Sequence, residues 1–209
     1  MEVVAVIDFE TTGLSPDHGD RATEIAAVLL KDGNVVDRYQ SLMNAGVRVP
    51  AFITELTGIT DAMVRKAPPA ADVMRDVSDF VGDYPLVAHN ASFDNRFWDA
   101  ELKRVCRKRR QEFACSMLVA RRVLPQAPNH KLGVLVDFTK LPVTGRYHRA
   151  LADAEMAASL LVYMEDELRR RYKVPEVSHE LLRAIQRVSK NQIDRCVERH
   201  LRTAATAQR

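Results

Sequence analysis

Three short stretches of this 209-residue chain gather side chains able to handle metal ions and protons. They read Asp8-Phe9-Glu10-Thr11-Thr12-Gly13-Leu14, then His89-Asn90-Ala91-Ser92-Phe93-Asp94, then His148-Arg149-Ala150-Leu151-Ala152-Asp153. Hard carboxylate oxygens are the ligands that Mg²⁺ and Mn²⁺ prefer. A pair of such ions can stabilise both the attacking and the leaving oxygen of a phosphodiester. A histidine beside them can deprotonate the attacking water.

Each stretch alone has a plainer explanation. Asp8 and Glu10 end an apolar run over 2–8 that reads as a buried strand. Side chains at i and i+2 leave one face of a strand, so both carboxylates can reach one spot. A strand end that merely meets solvent would look the same, and D-x-E is common by chance. Asp94 follows a short strand in the first turn of a helix, where an acid also complements the helix dipole. His148 and Asp153 would lie ~140° apart on one continuous helix. The simpler geometry puts His148 in a loop, marked by Pro142 and Gly145, and Asp153 inside the helix that follows. Taken alone, His148 reads as a surface histidine beside Tyr147.

These residues need elements to position them. Residues 23–31 and 35–43 read as a second and third strand around the turn signal Asp32-Gly33-Asn34, forming an antiparallel meander with the first. A short helix over 52–56 closes at Gly58. A helix over 69–82 carries Val73, Val77, Phe80 and Val81 on one face. A fourth strand is expected over 85–89, next to the first, then a helix over 92–105 with Ser92 as its N-cap. A short fifth strand over 112–115 and helices over 115–123, 130–137 and 149–172 complete the body. The pattern predicts an α/β fold, a mixed five-stranded sheet with strands 1–3 as an antiparallel meander followed by parallel strands, flanked by helices. Past Pro175, Leu181, Ile185 and Val188, then Ile193, Val197 and Leu201, predict one or two amphipathic helices. Residues 204–209 are expected to fray.

The chain is 46% hydrophobic and 28% charged, a globular balance. No apolar run approaches the ~20 residues of a membrane span, and the run Val3-Val4-Ala5-Val6-Ile7 is too short for a signal peptide. We therefore expect a cytoplasmic protein without membrane association. Cys106, Cys115 and Cys196 are odd in number and lack C-x-x-C spacing, which argues against disulfides and zinc. The net charge of +3 divides unevenly. Residues 169–209 carry 11 Lys+Arg against 4 Asp+Glu, while 1–168 carry 20 against 24. A basic tail on an acidic body suits either a polyanion contact or a solvated helical surface. The run Lys103, Arg104, Arg107, Lys108, Arg109, Arg110 reads as a solvated helix end or a phosphate patch. Trp98 reads as core.

The order and spacing of the three motifs resemble those of the DnaQ-like 3′–5′ exonucleases, the DEDDh group on a ribonuclease H-like fold, over residues 1–168. Motif I matches at Asp8 and Glu10, motif II at Asp94, and motif III at His148 and Asp153. The tyrosine variant of that superfamily would place Tyr at position 149, which is Arg here. Glu55-Leu56-Thr57-Gly58-Ile59-Thr60 resembles the family's segment between motifs I and II. The resemblance implies that Asp8, Glu10, Asp94 and Asp153 hold two divalent ions, Mg²⁺ or Mn²⁺. It makes His148 the general base, and it puts Thr11, Thr12, Leu14, Asn90 and Phe93 against the substrate. It implies removal of nucleoside 5′-monophosphates from single-stranded or frayed 3′ ends. DNA is favoured over RNA because the two threonines of motif I resemble polymerase proofreading subunits, and RNA 3′-end trimming is the alternative. Any polymerase, or other replication or repair partner, would be a separate chain. A non-catalytic nucleic-acid-binding module on the same fold would be expected to have broken motifs. On this reading residues 1–172 are the exonuclease domain and 173–209 a basic helical extension. That extension could dock back on the domain, pair with another subunit or grip substrate.

Overall fold

The first apolar run becomes β1 (Val4–Thr11), the middle strand of a five-stranded sheet. The structure is a computed structural model that describes residues 2–143 and 145–207, with side chains described as far as residue 203. The other strands are β2 (Ala22–Lys31), β3 (Asn34–Leu42), β4 (Leu86–Ala88) and β5 (Phe113–Cys115), in the order β3-β2-β1-β4-β5. β1 pairs antiparallel with β2, and β2 with β3. β1 pairs parallel with β4, and β4 with β5. This is the mixed sheet that the pattern predicts, with the first and fourth strands adjacent. β1 lacks polar alternation because both its faces are covered. Val4 and Val6 face the cluster under α7 (Ala150–Tyr172). Ala5, Ile7 and Phe9 face the cluster under the helices over Ala70–Val81 and Ala91–Arg104.

The described helices, in chain order, are α1 (Ala51–Thr57), α2 (Asp61–Lys66), α3 (Ala70–Val81), α4 (Ala91–Arg104), α5 (Ser116–Val123), α6 (Leu132–Thr139), α7, α8 (His179–Arg187) and α9 (Ile193–Ala207). Three features differ from expectation. β1 extends three residues past position 8, so Asp8 and Glu10 lie inside the paired strand, opposite Ala26 and Glu24. α2 is not visible in the periodicity because it is six residues long; the Thr60 hydroxyl caps it by accepting from the Met63 amide. The N-cap of α4 is Asn90 rather than Ser92. Asn90 adopts a left-handed conformation (φ 73°), which Asn tolerates better than most residues, and this turns strand into helix in one residue.

The tail folds back onto the body. Val174, Val177, Leu181, Leu182, Ile185, Ile193, Cys196 and Val197 join the cluster beneath α7. α8 lies along the outer edge of β5, where an unpaired strand would otherwise expose its backbone groups. Gln186 supplies both missing partners: its Oε1 accepts from the Cys115 amide at 2.6 Å and its Nε2 donates to the Phe113 carbonyl at 3.3 Å. Arg187, Lys190, Arg195 and Arg199 remain exposed. Of the stretch expected to fray, 204–207 is helical and 208–209 lies outside the described residues. No helix is long and apolar enough to cross a membrane among the described residues.

Removing the Gln186 clamp leaves a buried amide without a partner, which costs about 1–3 kcal/mol. Gln186→Ala is therefore expected to lower the unfolding free energy by that amount in urea melts, and unchanged stability would contradict the edge-capping role.

Candidate active site

Three turns bring the predicted residues to one end of the sheet. Asp8 and Glu10 leave the last half of β1 on the side that faces α7, as the i, i+2 spacing requires. The one-residue turn at Asn90 puts Asp94 in the first turn of α4. There its Oδ1 accepts the amide of Phe9, the residue between Asp8 and Glu10, at 3.2 Å. Asp153 sits in the first turn of α7, and its Oδ2 accepts the His148 amide at 3.1 Å. His148 lies in the preceding loop with a left-handed backbone (φ 61°), a strained conformation for such a residue. Ligand atoms of Glu10, His148 and Asp153 fall within 4.8 Å of one another.

The electrostatics of this cluster are those of an acidic site lacking its counter-charge. Burial, then the charges of Asp94, Glu10, Asp153 and Glu24, push the Asp8 carboxyl well above its usual range. Burial, Asp153 and Glu24 raise Glu10 to about 8, against the opposing pull of Arg149. Burial raises Asp94 to about 7 despite its bond from the Phe9 amide. Asp153 is also raised, chiefly by burial. Its Oδ1 is buried and has no hydrogen-bond partner among the described residues. Crowded carboxylates and an orphaned oxygen fit hard divalent cations, which would supply the missing positive charge.

The acids line a cleft of about 870 Å³. Its rim is apolar and open: Leu14 is 77% exposed, Phe52 62% and Leu56 49%. Phe93 lines it too, stacked on Phe97 at 5.0 Å between ring centroids, and Asn90 stands exposed at the mouth. Thr11 and Thr12 also line the cleft, but their hydroxyls are engaged. The Thr11 hydroxyl donates to the Gly13 carbonyl, and the Thr12 hydroxyl accepts from the Arg21 amide. A side chain at Gly13 would press on the Asp20 carboxylate, which accepts the Ser15 amide and would have to move.

Sequence reasoning missed the contribution of α1, whose Phe52, Ile53, Leu56 and Thr57 form one wall of the cleft. The available signal was an apolar i, i+4 pair, Phe52 and Leu56, on a helix too short to be a core element. It also missed His89 as a brace. His89 Nε2 lies 2.9 Å from the His130 carbonyl and must carry the proton, because a carbonyl only accepts. Nδ1 therefore accepts from the Ser116 hydroxyl at 3.0 Å. Burial lowers this imidazole to about 4, so it stays neutral and ties motif II to the loop before α6.

The basic run 103–110 is engaged elsewhere. Arg107 pairs with Asp79 and Arg109 with Asp99, and Arg104 lies 3.7 Å from Glu101. None of its six cations lines the acidic cleft. Trp98 is core, packed edge-on against Phe9. Cys106, Cys115 and Cys196 are free thiols.

The family model described as "Exonuclease" matches residues 5–161. The chain is 39% identical over 165 residues to the PolC-type DNA polymerase III of Bacillus subtilis strain 168, covering 78% of this chain and 11% of that protein. It is 40% identical over 161 residues to the corresponding protein of Oceanobacillus iheyensis, again covering 11% of it. The chain thus spans about a ninth of the length of these relatives. Among solved structures, exonuclease X in complex with 5′-overhanging duplex DNA superposes with a TM-score of 0.70 at 29% identity, over 88% of this chain and 99% of that one. The nuclease domain of 3′hExo, a DEDDh family member bound to rAMP, shares the fold with a TM-score of 0.69 at 22% identity, over 79% and 92%.

The raised carboxyls make metal-free stability depend on pH. A carboxyl whose folded pKa exceeds its unfolded value destabilises the fold as pH rises between the two. Here the window runs from about 4 to about 7 for Asp94 and about 8 for Glu10. His89, depressed from 6.5, acts in the opposite direction below 6.5 and is neutral above it. Between pH 6.5 and 8 the melting temperature in EDTA is therefore expected to fall. Added Mg²⁺ should flatten the decline without abolishing it, because Glu165, raised to about 7 outside the site, keeps its own contribution. Calorimetry showing a rise with pH in EDTA, or no response to Mg²⁺, would contradict this account.

Proposed function

The chain belongs to the exonuclease family and is a nuclease, and from that premise we propose that it is a metal-dependent 3′–5′ exonuclease that releases nucleoside 5′-monophosphates from 3′ ends, with DNA preferred to RNA. The observation that carries this reading is the meeting of all five motif residues at one cleft. The preference for DNA is supported by the relatives, PolC-type DNA polymerases and an exonuclease solved on duplex DNA.

Asp8, Glu10, Asp94 and Asp153 are the residues that would hold two Mg²⁺ or Mn²⁺ ions. Bound there, the ions supply Lewis-acid stabilisation of charge on the attacking and leaving oxygens. The rest is done by the chain. His148 takes the proton of the attacking water on a ring nitrogen. Asp153 holds the His148 backbone, so base and acid move as one unit. Leu14, Phe52, Leu56 and Phe93 offer apolar surface to the terminal base, whose flat faces suit such a rim. Asn90 stands where it can donate to the sugar-phosphate chain. Thr11 and Thr12 shape the turn behind Leu14 through their engaged hydroxyls. The relatives support a cytoplasmic replication or repair role alongside a polymerase. Residues 1–172 would be the catalytic unit and 173–209 its extension.

With Mg²⁺, purified protein is expected to shorten a 5′-labelled DNA oligonucleotide stepwise from its 3′ end, and a matched RNA more slowly. Asp8→Ala and Asp153→Ala should reduce cleavage to background. His148→Ala should lose about 10²–10⁴-fold, the usual contribution of a general base. Equal cleavage by wild type and all three variants would refute the assignment, and faster RNA cleavage would overturn the substrate preference.

A further inference from the structure

Glu24 is a charged residue at 0% exposure near the start of β2, just before its apolar run to Leu30, and lies 125 positions from its main partner. A buried carboxylate is costly unless it is paired and fully hydrogen-bonded, and Glu24 is both. Its Oε1 accepts from Arg149 Nη2 at 2.8 Å and from Gln40 Nε2 at 2.8 Å. Its Oε2 accepts from Arg149 Nε at 3.0 Å and from the Ala150 amide at 3.1 Å. Burial opposes the charge, but the Arg149, Ala150 and Gln40 bonds outweigh it and hold the carboxyl below its usual value.

These bonds grip a particular piece of chain. His148 is left-handed, Arg149 is extended (φ −132°, ψ 122°), and Ala150 begins α7. Glu24 holds the second and third of these residues, and Asp153 holds the first through the His148 amide. The imidazole is therefore aimed by a two-point clamp across a strained hinge. Glu24 stands directly across the β1–β2 ladder from Glu10, so the clamp is referenced to the strand that carries the acids. α7, 23 residues long, keeps Asp153 in place through its own backbone. The loss of the clamp would thus fall on His148, which no helix supports.

We infer that Glu24 is a positioning residue for the reaction: through its bidentate pair with Arg149 and its bond to the Ala150 amide, it fixes the direction of the His148 side chain. This rests on the reading of His148 as general base. Glu24→Gln is nearly isosteric but places an amide NH₂ where a donor must be accepted, so the four-bond set cannot be kept. A displacement of about 1 Å at a reacting group can cost on the order of 10²-fold.

The test compares single-turnover cleavage of a DNA oligonucleotide in Mg²⁺ for wild type, Glu24→Gln, His148→Ala and the double variant, with melting temperatures alongside. Glu24→Gln is expected to slow the chemical step by about 10–100-fold with KM within about threefold. In the His148→Ala background the same change should cost less than about threefold, because the group it positions is already gone. Arg149→Lys, at a partly exposed position, keeps the charge but cannot span both oxygens. It should repeat the pattern if Glu24→Gln does not fold. A wild-type rate in both variants would overturn the inference. So would equal losses in the two backgrounds, which would mean general destabilisation, or a loss confined to KM. Absence of Mg²⁺-dependent cleavage by the wild type would instead overturn the exonuclease reading, and this inference with it.

Discussion

Four carboxylates crowded at one end of a strand repel one another, and burial makes each charge dearer still. The rest of the molecule is organised around that conflict. Asp8, Glu10, Asp94 and Asp153 are all held above their ordinary protonation range, and one Asp153 oxygen has no partner among the described residues. A fold that maintains such a cluster stores an affinity for compact positive charge. Its scaffold must be stiff enough to stop the acids from swinging apart to relieve the strain.

That stiffness comes from placing the acids on three different elements and then bonding those elements to one another. The central strand carries two acids and is covered on both faces. The Phe9 amide ties α4 to it through Asp94, and Glu24 ties the start of α7 to the neighbouring strand. The neutral His89 braces the end of β4 against the loop at His130. The far edge of the sheet is closed by α8, with Gln186 satisfying the backbone of β5. Cleft geometry is thus fixed by a few polar bonds between distant segments, set in an apolar body that gives them a low-dielectric surround.

The cleft itself divides the labour. Its floor is acidic, while its rim presents exposed Leu14, Phe52 and Leu56. Large apolar side chains left open beside an acidic floor would suit a ligand with both a flat apolar part and an anionic part once divalent cations neutralise the acids between them. The basic run at 103–110 does not serve this cleft; Arg107 and Arg109 pair with acids on α3 and α4, and Arg104 lies near Glu101.

The sequence alone determined what depends on near neighbours. The i, i+2 spacing of Asp8 and Glu10 puts both on one strand face, and the five-residue spacing of His148 and Asp153 demands a break before the helix. Apolar patterning and turn signals placed every strand and most of the described helices to within a few residues, but missed α2 and left open whether the tail forms one helix or two. What depends on partners far along the chain was decided only by tertiary structure. Glu24 near the start of its strand says nothing of Arg149, and a short helix over 52–56 says nothing of the cleft that Phe52 and Leu56 wall. Nor does the sequence show that the Thr11 hydroxyl donates to the Gly13 carbonyl and the Thr12 hydroxyl accepts the Arg21 amide. That the tail docks back onto the sheet edge, with Gln186 bonded to β5, is likewise decided only by the tertiary structure. Hydrophobic pattern is written locally, because each residue meets its neighbours at a fixed period. A polar pairing between positions 24 and 149 leaves no local trace, because only the completed sheet brings the two together.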